Sequence, residues 1–170
     1  MKPVFKIIDD FLPEDDFRAI RDIMLSASMP WYYTPKVNDE YDVGNGHYFI
    51  HLFYHCSMPS SPFFNRVKPL IKKLKMTEIM RVKGNLYPTL GREHEDGMHT
   101  DFPYPHQGAI LYVNTNNGCT IMDNGTRINS LANRLLMFDP SLPHDSSYPT
   151  DSKIRVNINM NYYTKEWNRE

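Results

Sequence analysis

"KIRVNINMNYY", residues Lys153–Tyr163, decides how this chain folds. Read with the two-residue period of a β-strand, Ile154, Val156, Ile158 and Met160 share one face. Arg155, Asn157, Asn159 and Asn161 share the other. Taken alone, such a strand puts its polar side in water. The inverted alternative packs the apolar side beneath helices and turns Arg155 and the asparagines into an enclosed polar interior.

Working back from that strand, "EIMRVKGNLYP", "GAILYVN", "GCTIM" and "RLLMF" are short, rich in β-branched and aromatic residues, and separated by Gly, Asn, Asp and Pro clusters. No helix-length pattern interrupts them after residue 77, which excludes a parallel βαβ architecture and predicts a mainly β sandwich or jelly roll. "HYFIHLFYHC" adds an earlier strand. Two helices should cover one sheet. In "FLPEDDFRAIRDIML", Pro13 suits a first turn and Phe17, Ile20 and Met24 form one stripe. In "SSPFFNRVKPLIKKLKM", Phe63, Val67, Leu70, Ile71 and Leu74 form another, and Pro69 predicts a kink or a restart.

At 170 residues the chain reads as one domain, 1–170, with 1–76 as N-terminal support and 77–165 as the β core. A net charge of -1 gives no reason to expect a nucleic-acid or membrane partner, and the lysines of "VKPLIKKLK" read as a solvated helix face. Neither a signal-peptide pattern nor a membrane-length apolar run is seen, so a soluble, cytoplasmic protein is expected. Cys56 and Cys119 imply no disulfide framework. Asn124-Gly125-Thr126 is a formal glycosylation sequon that reads as a turn.

"GMHTDFPYP", residues 97–105, carries the chemistry. On an extended backbone His99 and Asp101 leave the same face and can converge on one ion. His144, after "RLLMFDPSLP", is the natural third ligand. Two histidines and one carboxylate on one face suit non-haem Fe(II), with positions left for an organic co-substrate and oxygen. His94 and Asp96 repeat the spacing, but the turn signal Asp96-Gly97 should splay them apart. His47, His51 and His55 have Phe49 and Phe53 between them and read as partly buried structural histidines.

With these residues in place, the chain resembles the Fe(II)- and 2-oxoglutarate-dependent dioxygenases, in their prolyl 4-hydroxylase-like branch, over nearly its whole length. "FKIIDDFLPEDDFRAI" is similar to that branch's strand-then-helix start. "GNLYPTLGREHEDGMHTD" matches its strand tyrosine, glycine-bearing loop and His-x-Asp. "AILYVN", "GCTIM" and "RLLMFDPSLPHDSSYPTDSKIRVNINMNYY" match the strands that follow, the last with a distal histidine and then a basic residue.

The resemblance implies a double-stranded β-helix and names the site. His99, Asp101 and His144 take the place of the iron ligands and catalytic centre. Arg155, eleven residues beyond His144, takes that of the cation pairing the distal carboxylate of 2-oxoglutarate. Tyr87, Tyr112 and Thr120 fall where the co-substrate is lined. Asn157 either bonds the co-substrate or only its neighbours, and the two tyrosines also read as ordinary core aromatics. The polar face of the last strand should then point inward. Implied too are Fe(II), 2-oxoglutarate and O2, with hydroxylation of a C–H bond and release of succinate and CO2. A proline-containing peptide or protein is the first substrate candidate, with "PWYYTP" and "DFPYPH" flanking the mouth and His106 at its rim; "YYTPKVNDEYDVGNG" reads alternatively as a lid over a small molecule. A non-catalytic jelly-roll protein binding a metal or small ligand is the alternative. The chain departs from the branch in a longer loop between Tyr87 and His99 and in "NNGCT", with one glycine where a pair is usual.

Overall fold

The computed structural model describes residues 5–35 and 46–165; most of the lid segment lies outside them. In chain order the elements are β1 (Phe5–Ile8), α1 (Glu14–Met24), β2 (Tyr32–Thr34), β3 (Tyr48–His55), β4 (Met58–Pro59) and α2 (Phe64–Lys73). They continue with β5 (Glu78–Pro88), β6 (Gln107–Tyr112), β7 (Cys119–Met122), β8 (Arg127–Asn129), β9 (Leu135–Phe138), β10 (His144–Ser146) and β11 (Ile154–Tyr163).

Eight strands form one antiparallel sheet in the order β1-β9-β6-β11-β5-β3-β2, with β4 on β3. A second sheet, β10-β7-β8, completes the double-stranded β-helix. The strand that carries the decision sits at the centre of the large sheet. Its apolar residues Val156, Ile158 and Met160 are fully buried against Ile20 and Met24 of α1, Val67 and Leu70 of α2, and Val82 of β5. Removal of each such side chain from water stabilises the fold by about 1.5–3 kcal/mol.

The polar face of β11 is buried as well: Arg155 is 0% exposed, Asn157 2%, Asn159 7% and Asn161 0%. Helices hold the apolar side, so only the interior between the sheets is left for the polar one. The inverted reading is therefore the correct one. Opposite β11, β5 presents a matching ladder, with Arg155 beside Tyr87, Asn157 beside Asn85, Asn159 beside Lys83 and Asn161 beside Arg81.

Two expectations change in detail. α2 runs through Pro69 without a restart. A proline removes one intrahelical hydrogen bond, and Val67 and Leu70, both fully buried, hold the helix on either side of it. The period of β3 breaks at a bulge between Leu52 and Tyr54, which sends Phe53 into the core and leaves His55 exposed. His51 is structural: its ring bonds the Pro30 carbonyl at 2.8 Å and Ser61 Oγ at 2.7 Å.

The start of α1 is tied to the barrel by one side chain. Asn133 accepts from the Leu12 amide at 2.9 Å and donates to the Leu12 carbonyl at 2.9 Å, while its own carbonyl accepts from the Phe11 amide. It does so with φ 63°, a left-handed conformation that asparagine tolerates better than most residues. Asn133→Ala should cost about 2–4 kcal/mol, combining two stranded buried backbone groups with backbone strain. Asn133→Gly should recover only the strain component. Urea unfolding of both variants measures the difference.

Candidate metal and co-substrate site

The segment holding His99 and Asp101 is extended without being a regular strand. His99 exchanges both backbone hydrogen bonds with His144 at 2.9 Å, and the Asp101 amide donates to the Pro140 carbonyl at 2.9 Å. This pairing fixes the register between the two histidines, whose ring centroids lie 4.6 Å apart. Ligating atoms of His99, Asp101 and His144 all fall within 4.8 Å of one another, the only such group of three among the described residues.

Asp101 is held from three directions. Arg81 donates to Oδ1 at 2.7 Å, and Asn159 and Asn161 donate to Oδ2 at 3.1 and 2.9 Å. Burial alone would raise its pKa, but the charges of Arg81, His144 and Lys83 and the Asn161 hydrogen bond outweigh burial and hold it far below the usual carboxylate range. Burial, assisted by His144, pushes His99 down to about 4. An anionic carboxylate and a neutral imidazole are the forms that bind a divalent cation. The donor set thus fits a metal ion.

Further into the barrel, Arg155 lies between the rings of Tyr87 and Tyr112, its guanidinium carbon 5.1 and 5.7 Å from their centroids. Its Nε donates to Ser130 Oγ at 2.8 Å and one terminal nitrogen donates to Thr120 Oγ1 at 3.1 Å. The other terminal nitrogen is buried with no partner. A fully buried guanidinium with an unused donor is costly unless an anion completes it. A carboxylate end of a co-substrate would do so.

The other residues expected at this site divide by role. The Tyr112 hydroxyl donates to Thr120 Oγ1 at 2.8 Å, so both support Arg155. Tyr87 stacks on Tyr48 with centroids 5.3 Å apart, and burial raises its pKa, keeping the hydroxyl protonated. Asn157 accepts from Asn85 at 2.9 Å and lines the cavity that also holds His99, Asp101, His144 and Tyr87. Asn159 shares that cavity, as the inverted reading of its strand expects, and so do Lys83, Asn85 and Ser146, which no sequence pattern marks. Only strand register, invisible in a single alternating pattern, brings them there. The lone glycine of "NNGCT" is explained by Arg155: a Cβ on Gly118 would sit 2.6 Å from Arg155 Cδ.

His94 and Asp96 are not splayed. Glu95 pairs with Ser147 in an isolated bridge, which keeps the backbone extended, and the turn falls at Gly97 with φ 94°. His94 Nε2 lies 3.7 Å from Asp96 Oδ1, which accepts from the Tyr148 hydroxyl at 3.0 Å. The pair forms no three-residue ligand group among the described residues. His106 is not a rim residue either: it is fully buried, with Nε2 3.0 Å from Asn161 Nδ2.

No protein-family model and no curated protein matches this sequence. Solved structures do match. A prolyl hydroxylase from Trichoplax adhaerens, in complex with a hypoxia inducible factor oxygen degradation domain peptide fragment, covers 97% of this chain and 86% of its own at 13% identity and TM-score 0.67. A Pseudomonas putida prolyl-4-hydroxylase covers 94% and 92% at 14% identity and TM-score 0.59. HygX from Streptomyces hygroscopicus, with nickel and 2-oxoglutarate bound, covers 96% and 84% at 10% identity and TM-score 0.61. At such identities the likeness establishes the fold, which is the one these three solved structures share.

Two outcomes test the site. Calorimetric titration with Mn(II) should show one ion per chain; His99→Ala or His144→Ala should weaken it by more than about 100-fold, and His94→Ala should leave it unchanged. Separately, burial pushes the Asp96 carboxyl up to about 7 from its ordinary 3.8. A raised folded pKa favours folding fully below about pH 4, and that contribution is lost as pH rises through about 7. Asp96→Asn should therefore gain thermal stability over the wild type as pH is raised from 4 to 8, read by melting curves at each pH.

Proposed function

We propose that the protein is an Fe(II)- and 2-oxoglutarate-dependent dioxygenase that hydroxylates a C–H bond. One observation carries this reading: a His99–Asp101–His144 cluster and a buried Arg155 with an unused donor occupy one polar interior. Bound iron would supply oxygen activation coupled to decarboxylation of the co-substrate to succinate and CO2. The chain's own residues bind, orient and exclude water. Arg155 would take the distal carboxylate of 2-oxoglutarate, positioned by Ser130, Thr120 and the flanking tyrosine rings. Tyr87, protonated, would donate a hydrogen bond toward the bound oxo-acid. Asp101, fixed by Arg81, Asn159 and Asn161, would keep one ligand anionic and immobile.

For the substrate, a peptidyl proline is the first choice. It is supported by the peptide-bound prolyl hydroxylase among the neighbours and by the exposed aromatics Tyr32, Tyr33 and Tyr104. Flat aromatic faces of this kind suit an extended or polyproline-type peptide.

The test is anaerobic addition of 2-oxoglutarate to the Fe(II)-loaded protein, which should produce a visible metal-to-ligand absorption band. Arg155→Ala should weaken 2-oxoglutarate binding by about 2–5 kcal/mol with metal affinity little changed. An absent band in the wild type overturns the oxygenase reading in favour of a ligand-binding jelly roll.

A further inference from the structure

Lys83 is a cation inside the proposed active site that the function as stated does not use. It stands on β5 opposite Asn159 of β11 and lines the cavity of His99, Asp101 and His144. Its ammonium lies 5.6 Å from the Tyr48 ring and, among the described residues, makes no hydrogen bond or ion pair at contact distance. Asp101, the carboxylate whose charge it feels, is already engaged by Arg81, Asn159 and Asn161. The other groups that act on it are the like charge of Arg81 and burial, which together bring the amine down to about 8. A lysine so placed is a poorly compensated positive charge beside the metal ligands, and a divalent ion there would add to the excess.

A single 2-oxoglutarate cannot relieve both cations. Arg155 pairs across from Tyr87 and Lys83 from Asn159, two inward-facing rungs further along the ladder. Four residues of strand separate those rungs by about 13 Å. On the oxygenase reading both ends of the dicarboxylate are already committed, the distal one to Arg155 and the other to the metal ligands. Lys83, on the side of Arg81 and away from Arg155, is left without an anion of its own.

Resting on the oxygenase reading, we propose that Lys83 is a specificity-determining residue that binds a carboxylate of the molecule being oxidised. The substrate is then acidic close to the oxidised carbon, either as a free amino acid or as a peptide carrying an acidic side chain beside the reacting residue. Tyr48, stacked on Tyr87 and 5% exposed, supplies an aromatic face to the charge of the lysine.

The experiment is a calorimetric titration, without oxygen, of Mn(II)-loaded and 2-oxoglutarate-saturated protein. The probes are free L-amino acids with their carboxamides, and paired peptides bearing Glu or Gln beside a central proline. At least one carboxylate probe should bind tenfold or more tightly than its neutral twin, and which pair responds identifies the source of the carboxylate. Lys83→Met should erase that preference and Lys83→Arg should keep most of it. Because Lys83→Met removes a poorly compensated cation, its melting temperature should be no lower than that of the wild type, which separates lost recognition from lost folding. Wild-type protein that prefers no carboxylate, or binds none, overturns the proposal, as does Lys83→Met that retains the preference. A tenfold loss of 2-oxoglutarate affinity in Lys83→Met also overturns it, by assigning the lysine to the co-substrate. Failure of 2-oxoglutarate to bind the Mn(II)-loaded wild type, measured before any probe is added, identifies failure of the oxygenase reading itself.

Discussion

The buried carboxylate of Asp101 is the interaction on which the polar interior depends. A carboxylate removed from water must be compensated by charge and by hydrogen bonds. Here Arg81 supplies the charge and Asn159 and Asn161 the hydrogen bonds. That requirement explains why the central strand of the large sheet carries asparagines where a sheet of this depth would otherwise carry aliphatic residues. It also fixes β5 against β11, since Arg81 must reach the same carboxylate from its own strand.

Arg155 repeats the logic at the other end of the ladder with one difference. Its guanidinium is stacked and doubly hydrogen-bonded, yet one nitrogen is left without a protein partner. The carboxylate of Asp101 thus has protein partners on both oxygens, while the guanidinium of Arg155 keeps one nitrogen without any. Asn85 Oδ1, between the two ends, is likewise buried without a partner. Polar networks that are nearly but not wholly satisfied belong where a ligand enters.

Much of this was legible in the sequence. The periods of α1 and α2 were plain because each buries one apolar stripe, and that of β11 because its two faces differ in polarity. His99, Asp101 and His144 could be picked out because extended backbone brings alternate residues to one side. What could not be read was anything set by register between distant strands. Lys83 and Asn85 look like ordinary polar positions in "RVKGNLYP" until β11 is laid beside them. The expected splaying of His94 and Asp96 does not occur because a bridge from Glu95 to Ser147, far along the chain, keeps that backbone extended. Strands as short as β8 and β10, three residues each, carry no period to detect.

The edge strand β1 has a consequence for how the chain comes together. Phe5–Ile8 pairs only with Leu135–Phe138, and Asn133, just before that strand, caps the segment leading into α1. Among the described residues, β1 therefore has no strand to pair with until Leu135–Phe138 is in place. During synthesis from the N-terminus, α1 would emerge with an apolar stripe and no sheet to receive it. Folding of such a topology is governed by distant contacts rather than by local helix formation, and so is slow for its size.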